Sequence, residues 1–368
     1  MIPLQIAAST SSAGPFIARL NSEGRAFELE RTQGRTPFDV DLEFVGSGRL
    51  VYRSASIELE LKSVDADDVD GDVVFVNPAR GIAHRLVRAG SAHNTFLITE
   101  RCDQLCVMCS QPPKRGHVDM FPYFEAAALL APKGAVLGVS GGEPTLFKGQ
   151  LLPFLERVLG QRPDLSFHVL TNAQHFDVDD VSALWRLPRD RVTWGVPLYS
   201  SDSEVHDGIV GKVGAFHKLA EGLAILARSG ATLELRTVLM TRNVEALPAL
   251  ARFVASHVPF ATSWAIMQLE NIGYGRLNWA ELFHDHSQRF EPVGEAIDLA
   301  RSRGLDVWLY NFPRCTVPSD YRQLAPPTIS DWKRRYPAAC DGCAEKAECS
   351  GLFEWQTDDR GFTRFGLL

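Results

Sequence analysis

The sequence predicts an α/β protein: a partial (βα)6 TIM-type barrel with an N-terminal β-rich accessory domain before it and an irregular Cys-rich C-terminal segment after it. Residues 1–90 alternate apolar and polar positions between Gly, Ser and Asp turns, which is typical of strands. Residues 91–312 repeat strand and helix patterns, and apolar strands in such a repeat indicate a parallel sheet with right-handed crossovers. Residues 313–368 lose both periods and carry four of the seven cysteines.

The composition is that of a globular protein. With 368 residues, of which 45% are hydrophobic and 23% charged, the chain suits two or three structural units and excludes wholesale disorder. The net charge of -7 offers no basic surface, so nucleic acid is not an expected partner. The first residues lack a signal-peptide pattern, and no run of about 18 apolar residues predicts a membrane span. We therefore expect a cytoplasmic protein with no membrane partner. Because seven cysteines cannot all be paired in disulfides, we expect the clustered cysteines to bind metal.

The accessory domain is predicted from three strand-like segments, which read VDLEFVG, RLVYRSASIELELK and GDVVFVNP. An acidic stretch from Asp65 to Asp72 follows the second segment and runs into the start of the third. Its glycine, Gly71, is misplaced for an EF-hand calcium loop. We interpret the stretch as a solvated turn.

The barrel is predicted from six strands that alternate with helical patterns. Six units are fewer than the eight of a complete barrel, so we expect an open one. The strands begin at Asn94, Ala135, Ser166, Val192, Ala231 and Thr262, and the clearest helical patterns are Phe124–Leu130, Leu151–Leu159, Ala215–Ala227 and Val244–Val254. A further strand, LDVWLYN, is expected after the helix that ends near Ser302.

Three cysteines follow the first barrel strand in a C-x3-C-x2-C run, Cys102, Cys106 and Cys109. A loop at the carboxyl end of a barrel strand is where such folds carry their chemistry. Three thiolates ligate three irons of a [4Fe–4S] cluster, which usually takes four, and leave the fourth iron open. That is the requirement for binding S-adenosylmethionine through its amino and carboxylate groups. The alternative is a zinc ion with His117 as fourth ligand, although zinc sites usually pair C-x2–4-C with a distant second pair.

The next strand ends in Gly141, Gly142 and Glu143, followed by proline. Glycines at a strand end let the backbone approach a ligand closely, and a glutamate accepts hydrogen bonds from an ammonium group. With both motifs the barrel resembles radical S-adenosylmethionine enzymes. The resemblance implies that these three residues bind the amino group of the cofactor's methionine, and that Met108 lies near its adenine.

Further cofactor contacts are implied in the next strands. Thr171 and Asn172 close the third strand and would face the cofactor, with a structural turn as the alternative. In the fourth strand many relatives carry a serine where this sequence has Pro197, and Ser200 is taken as the substitute. Asn243, after the fifth strand, is predicted to cap the following helix.

Charged and polar residues on the fifth and sixth strands have two open interpretations. Arg236 shares one face of the fifth strand with Glu234, and a charged arginine inside a barrel needs a carboxylate partner. That partner is either the methionine carboxylate of the cofactor or Glu234. Gln268 and Glu270 share a face of the sixth strand, and they either hold substrate or are solvated.

A second cysteine cluster lies in the irregular C-terminal segment, where little core is available and a metal site would stabilise the chain. Four thiolates complete an auxiliary [4Fe–4S] cluster or a structural zinc site, and we favour iron–sulfur. The auxiliary cluster would carry electrons or act as a structural staple. Its predicted ligands are Cys315, Cys340, Cys343 and Cys349.

A closer resemblance, over roughly residues 94–353, is to the maturases of the His-Xaa-Ser peptide system. It is carried by the segments ITERC, MCSQPPK, HD, GAF, ELR, MQLE and SDWK, while Ser350 stands where glycine is expected. The resemblance implies a ribosomally made precursor peptide as substrate and a partner radical S-adenosylmethionine maturase. A reductant protein is a further expected partner, and the accessory domain is a candidate for binding a leader peptide.

The function predicted is therefore the modification of a peptide by a 5′-deoxyadenosyl radical. No catalytic residue is identified beyond the cluster ligands. One alternative is the same radical chemistry on a small molecule or RNA. Another is a non-enzymatic binding protein stapled by zinc.

Overall fold

The computed structural model describes residues 4–21, 39–44, 50–54, 57–62, 64–356 and 361–366. By its internal contacts the chain divides into two compact units. The first contains Met1–Thr99, Val118–Ser140 and Phe147–His168, and the second contains Glu100–His117, Gly141–Leu146 and Val169–Leu368. The domain boundaries at residues 90 and 312 stay predictions.

The strands and helices follow one another along the chain in the order of their numbers. The strands are β1 (Gln5–Thr10), β2 (Phe16–Asn21), β3 (Asp39–Phe44), β4 (Leu50–Arg53), β5 (Glu58–Leu61), β6 (Val73–Asn77), β7 (Ile82–Val87), β8 (Asn94–Thr99), β9 (Val136–Gly141), β10 (Ser166–Leu170), β11 (Val192–Pro197), β12 (Thr232–Leu239), β13 (Ala261–Gln268), β14 (Asp306–Tyr310), β15 (Arg334–Arg335) and β16 (Leu352–Phe353). The helices are α1 (Ala66–Val69), α2 (Phe121–Leu130), α3 (Lys148–Gln161), α4 (Val181–Arg186), α5 (Ser203–Val210), α6 (Ala215–Ser229), α7 (Leu247–His257), α8 (Gly273–Leu277), α9 (Trp279–Leu282) and α10 (Glu291–Ser302).

The first seven strands form a closed barrel in the order β1-β5-β4-β3-β2-β6-β7. It closes because β1 pairs with β5 through its second half and with β7 through its first half. Alternate residues of the strands face a common apolar core, as Ile6 and Ala8 of β1 and Val74 and Val76 of β6 do.

The acidic stretch before β6 differs from the solvated turn that we predicted. Asp65, Asp67 and Asp68 are exposed, but Asp72 is only 1% exposed. Its carboxylate accepts hydrogen bonds from Arg85 Nε and from the backbone N–H of Ala89. Burial raises the pKa of Asp72, against the opposing effect of the Arg85 guanidinium. The turn prediction is therefore wrong for Asp72, because an ion partner lies in a later strand.

The second sheet has seven strands in the consecutive order β8 to β14. Parallel pairing joins β11 to β12, β12 to β13 and β13 to β14. The α/β class with a parallel sheet is therefore confirmed. All six predicted strands begin within one residue of an observed strand, and the further predicted strand contains β14.

The two faces of β12 to β14 differ in character. Leu235 pairs with Trp264, and both side chains are fully buried. The alternate positions form a second face that we call the polar face, which includes Glu234, Arg236, Met267 and Tyr310. Glu234 is buried, and the other three residues are half-buried. Because successive residues of a strand point to opposite faces, the side chains of Glu234, Arg236 and Tyr310 lie on one side of the sheet.

No helix among the described residues has the length and apolar character needed to cross a membrane.

Candidate functional site

The cysteine run follows β8 and contacts the Gly-Gly-Glu segment at the end of β9. The backbone N–H of Glu143 donates a hydrogen bond of 2.8 Å to the carbonyl of Arg101. A Cβ atom at Gly142 would lie 2.1 Å from that carbonyl oxygen and 3.0 Å from Cβ of Cys102. The two predicted motifs are thus in direct backbone contact, and this approach requires glycine at position 142.

The C-terminal end of α5 holds the cysteine loop from a second direction. The backbone N–H groups of Leu105 and Val107 donate to the last carbonyls of this helix, those of Val210 and Ile209, at 3.0 and 2.9 Å. Helix α5 is capped by the next residue, Gly211, whose φ of +66° lies in the left-handed region. A Cβ atom there would be 2.6 Å from the carbonyl oxygen of Leu105, so the close approach again depends on glycine.

Helix α8 holds the loop from a third direction. The backbone N–H of Tyr274 donates to the carbonyl of Cys109 at 2.8 Å, and the Asn278 side chain donates to the carbonyl of Val107 at 2.7 Å. Gly273 has a φ of +58°. Its Cβ atom would lie 2.4 Å from the carbonyl oxygen of Cys109. Sequence reasoning missed both helix contacts. Their local signals were the glycine that follows α5, Gly211, and the glycine that begins α8, Gly273.

The three thiols of the loop are partly buried. Burial raises the pKa of Cys102 to about 11 and that of Cys106 to about 12, and it also raises the pKa of Cys109. Each thiolate in this loop adds to the electrostatic cost of the others. A bound cation therefore offsets a cost that the protein's own charges do not remove. Among the described residues, no three His, Cys, Asp or Glu side chains converge closely enough to hold a single metal ion.

Glu143 is 1% exposed, and its carboxylate joins the ends of β9 and β10. One oxygen accepts from the backbone N–H of Thr145 at 2.8 Å and from the Thr171 hydroxyl at 2.6 Å. The other oxygen accepts from the backbone N–H of Asn172 at 2.6 Å. Burial raises the pKa of Glu143, and these donors oppose the rise. Thr171 and Asn172 thus contact the predicted Glu143 directly.

Asp103 is the centre of a network that sequence reasoning did not find. Its carboxylate accepts from Asn172 Nδ2 at 3.0 Å and from Lys212 Nζ. His175 Nε2 lies 3.2 Å from the same carboxylate, and Lys212 also donates to Gln174 at 2.9 Å. Although burial acts against it, donors from His175 and Lys212 hold the pKa of Asp103 well below its usual range. The network fixes the loop between the first and second cysteines.

Met108 lies in an apolar cluster beside the cysteines, with Tyr199, Met240, Leu269 and Trp279 among its members. This cluster contacts Cys106. The Met108 side chain is 6% exposed. An apolar wall is therefore present where the resemblance places the adenine.

Ser200 is 1% exposed, and its hydroxyl oxygen accepts a hydrogen bond of 3.0 Å from the backbone N–H of Asp202. The hydroxyl thus forms a turn before α5, and its own proton remains available to a further acceptor. Asn243 does not cap the following helix, so that prediction is wrong. Instead, its side chain accepts from the backbone N–H of Met240 at 2.9 Å and donates to the carbonyl of Tyr199 at 3.2 Å.

Arg236 on the polar face contacts Glu234, one of the two carboxylate partners considered from the sequence. Its Nη1 donates to Glu234 at 2.5 Å, and the hydroxyl of Tyr310 donates to the other oxygen of Glu234 at 3.3 Å. The guanidinium lies 5.7 Å from the centre of the Tyr310 ring. Gln268 pairs with Leu239, away from the polar face, and is only 3% exposed. Its side chain is therefore not solvated.

His206, which was one element of the closer resemblance, lies buried between the rings of Tyr199 and Phe216. Burial lowers its pKa to about 4, whereas an unfolded histidine takes up a proton near pH 6.5. Falling pH between these two values therefore favours the unfolded chain, by about 3 kcal/mol across the window. We expect His206→Phe to flatten the loss of stability between about pH 6.5 and 4 in denaturant titrations. The exposed-site variant His217→Gln should keep the wild-type slope, and an unchanged slope in His206→Phe would contradict the assignment.

The four C-terminal cysteines line the same small, open cavity. The cavity is also lined by Arg314 and Tyr336. The backbone N–H groups of Arg314 and Gly351 donate to Sγ of Cys349 at 3.3 and 3.4 Å. These two donors fix the position of the Cys349 sulfur in the cavity. The cysteines that line this cavity are Cys315, Cys340, Cys343 and Cys349.

No protein family model matches the chain. Among curated proteins it is similar to the antilisterial bacteriocin subtilosin biosynthesis protein AlbA of Bacillus subtilis (strain 168), with 24% identity over 209 residues. The match covers 54% of this chain and 45% of AlbA, so the chain spans less than half the length of that relative. The match confirms the resemblance to radical S-adenosylmethionine peptide maturases.

Solved structures with a related chain trace include SuiB of Streptococcus suis bound to S-adenosylmethionine. It has 16% identity and a TM-score of 0.49, with 61% of this chain and 51% of SuiB covered. Native anSMEcpe with bound AdoMet and Cp18Cys peptide has 12% identity and a TM-score of 0.37, with 53% and 63% covered. Both TM-scores are below 0.5, so no conclusion about this chain rests on them.

Proposed function

We propose that the chain is a radical S-adenosylmethionine enzyme that modifies a ribosomally made peptide. The observation that carries this proposal is the direct backbone contact between the three-cysteine loop and the Gly-Gly-Glu segment. Both motifs lie at carboxyl ends of neighbouring strands, where parallel α/β sheets place their ligands. The similarity to AlbA, which is named for bacteriocin biosynthesis, supports a peptide as the substrate class.

The residues present fit a [4Fe–4S] cluster and S-adenosylmethionine. Cys102, Cys106 and Cys109 would hold the cluster, because their partly buried thiols need a cation to become thiolates. Gly141, Gly142 and Glu143 would bind the methionine end of the cofactor, and the lack of a Cβ atom at Gly142 lets this segment lie against the cysteine loop. When bound, the two groups together supply a 5′-deoxyadenosyl radical for hydrogen-atom abstraction.

The chain's own residues position the site and exclude water from it. Glu143 fixes the ends of β9 and β10, and Asp103 with Lys212 fixes the cysteine loop. Arg236 keeps donor groups beyond the one that it gives to Glu234, so it remains a candidate for the cofactor's carboxylate. Met108 and Ser200 complete the proposed set, the first as apolar wall and the second as a hydroxyl donor.

The C-terminal cysteines are proposed to hold an auxiliary [4Fe–4S] cluster. Four thiols on one cavity supply the full number of ligands, and the N–H donors to Cys349 fix the position of its sulfur there. If so, Cys343→Ala lowers the iron content of anaerobically reconstituted protein from about eight to about four atoms per chain. Metal and sulfide analysis checks this result. Zinc in the wild-type protein at this site, with no change in iron in the variant, would contradict it.

The finer assignments follow from the same resemblance. The substrate is proposed to be a His-Xaa-Ser-type precursor peptide, with a reductant protein and a second radical maturase as partners. The parallel sheet is proposed to be a partial barrel that surrounds this substrate. We place the enzyme in the cytoplasm, where thiols stay reduced.

One experiment tests the proposal as a whole. Anaerobically reconstituted protein is incubated with S-adenosylmethionine, dithionite and a synthetic His-Xaa-Ser precursor peptide. We expect deoxyadenosine to accumulate together with a change in the peptide's mass. Deoxyadenosine formation that a small metabolite or RNA stimulates, but the peptide does not, would overturn the peptide assignment. Protein that contains zinc and neither iron nor sulfide would overturn the enzyme assignment.

A further inference from the structure

Glu270 follows β13 and is the second carboxylate near the polar face. Burial raises the pKa of Glu270, and the positive charges of Lys333 and Arg236 oppose this rise. Within the described part of the chain, no group donates a hydrogen bond to its carboxylate. By contrast, the carboxylate of Glu234 accepts from both Arg236 and Tyr310. Glu270 is therefore a partly buried carboxylate whose acceptor positions are open.

The backbone around Glu270 ties it to the cysteine loop. Its carbonyl accepts from the backbone N–H of Ile272 at 2.9 Å. A Cβ atom at Gly275 would lie 2.5 Å from that carbonyl oxygen and 3.3 Å from the carbonyl oxygen of Met108. The preceding residue, Leu269, packs in the same apolar cluster as Met108. The backbone of Glu270 therefore contacts that of Gly275, which lies next to Met108 of the proposed cofactor site.

Lys333, one of the two cations that act on Glu270, lies against two aromatic rings. Lys333 Nζ lies 5.8 Å from the ring centre of Trp332 and 5.5 Å from that of Phe353. Contacts of this kind hold an ammonium group in place without neutralising it. Lys333 and Arg236 already act as positive charges on Glu270, so they would repel a further cation that a substrate brought to it.

An open, partly buried carboxylate is costly unless a donor reaches it. A donor from the substrate would remove this cost only when the substrate is bound. This repulsion favours a neutral donor over a lysine or arginine side chain. In a His-Xaa-Ser peptide the neutral donors are the imidazole N–H and the serine hydroxyl.

We propose that Glu270 is a specificity-determining residue that accepts a hydrogen bond from a neutral imidazole or hydroxyl group of the peptide substrate. This inference rests on the proposed function. It extends that proposal by naming the residue that reads the peptide and the chemistry that it reads.

The test compares Glu270→Gln with wild type in the peptide assay. Hydrogen bonds to charged groups are worth enough that we expect the KM for the peptide to rise about tenfold, with kcat changed by less than about threefold. The matched control is Glu295→Gln. Glu295 is exposed on α10, and its Oε1 lies 3.6 Å from Nη1 of Arg252, which is also exposed. Its KM should equal that of wild type. An unchanged KM in Glu270→Gln overturns the inference.

Two peptide arms identify the donor. Peptides with His→Phe or Ser→Ala are each assayed with wild type and with Glu270→Gln. For the peptide that lacks the contacting group, the two enzymes should have the same KM. If the tenfold ratio persists with both altered peptides, the inference is overturned.

Folding and cofactor binding are monitored by the thermal midpoint and by iron content. Glu270→Gln that loses iron, or whose kcat falls with KM unchanged, would assign Glu270 a structural role and overturn the inference. Failure of the wild type to form deoxyadenosine with the unaltered peptide would instead remove the proposed function itself. These two failures are therefore distinguishable.

Discussion

Cys106→Ala is expected to abolish cofactor cleavage. Cys106 is the middle thiol of the loop, and its loss leaves two ligands for a cluster that already lacks a fourth. Since changes to the partners of metal ligands alone cost about 10–100-fold, removal of a ligand should lower deoxyadenosine formation by more than about a hundredfold. The iron bound at the loop should be lost as well.

The measurement pairs deoxyadenosine formation with the electron paramagnetic resonance of the reduced protein. Ser110→Ala is the matched control, because Ser110 is exposed and follows the last cysteine of the loop. The control should retain the wild-type rate and signal. Cleavage by Cys106→Ala at the wild-type rate would remove the ligand assignment.

Gly142→Ala is expected to lower cofactor-dependent activity by about a hundredfold. The added Cβ would lie 2.1 Å from the carbonyl oxygen of Arg101 and 2.5 Å from its carbonyl carbon, and backbone cannot yield as a flexible side chain does. Either the Gly-Gly-Glu segment or the cysteine loop must move, and the 2.8 Å hydrogen bond from Glu143 to Arg101 lengthens. A displacement of about 1 Å at a reacting site costs roughly this much in rate.

A second glycine provides the control for this variant. Gly149 lies in α3 with nothing within 4 Å of its Cβ position, so Gly149→Ala meets no obstacle and improves helix propensity. Its activity should match that of wild type. Equal activity of Gly142→Ala and Gly149→Ala would mean that the contact between the two motifs is dispensable.

Periodicity and motif spacing predicted the strand starts and both cysteine clusters, because these depend on residues close in sequence. The contacts that hold the cysteine loop were not predictable in this way. Lys212 is 109 residues from Asp103. For the contacts that α5 and α8 make with the loop, the local signals were Gly211 and Gly273. The prediction that Asp72 is solvated was wrong for the same reason, since its partner, Arg85, belongs to a different element.

Asn243 illustrates a second kind of miss. An asparagine just before a helix usually caps it, and local statistics favour that role. Here the ends of β11 and β12 leave a buried carbonyl and a buried N–H that need partners, and the side chain satisfies those instead. The need to satisfy these buried backbone groups therefore outweighed the local preference of asparagine for capping.

The ring of β1 to β7 limits how an extended peptide could be recruited by the first ninety residues. Addition of a strand to a sheet needs an exposed edge with unsatisfied backbone groups. Each of the described strands in this ring already has a neighbour on both sides. A leader peptide recruited there would have to bind through its side chains. Its recognition would therefore depend on the identity of its residues more than on an extended backbone.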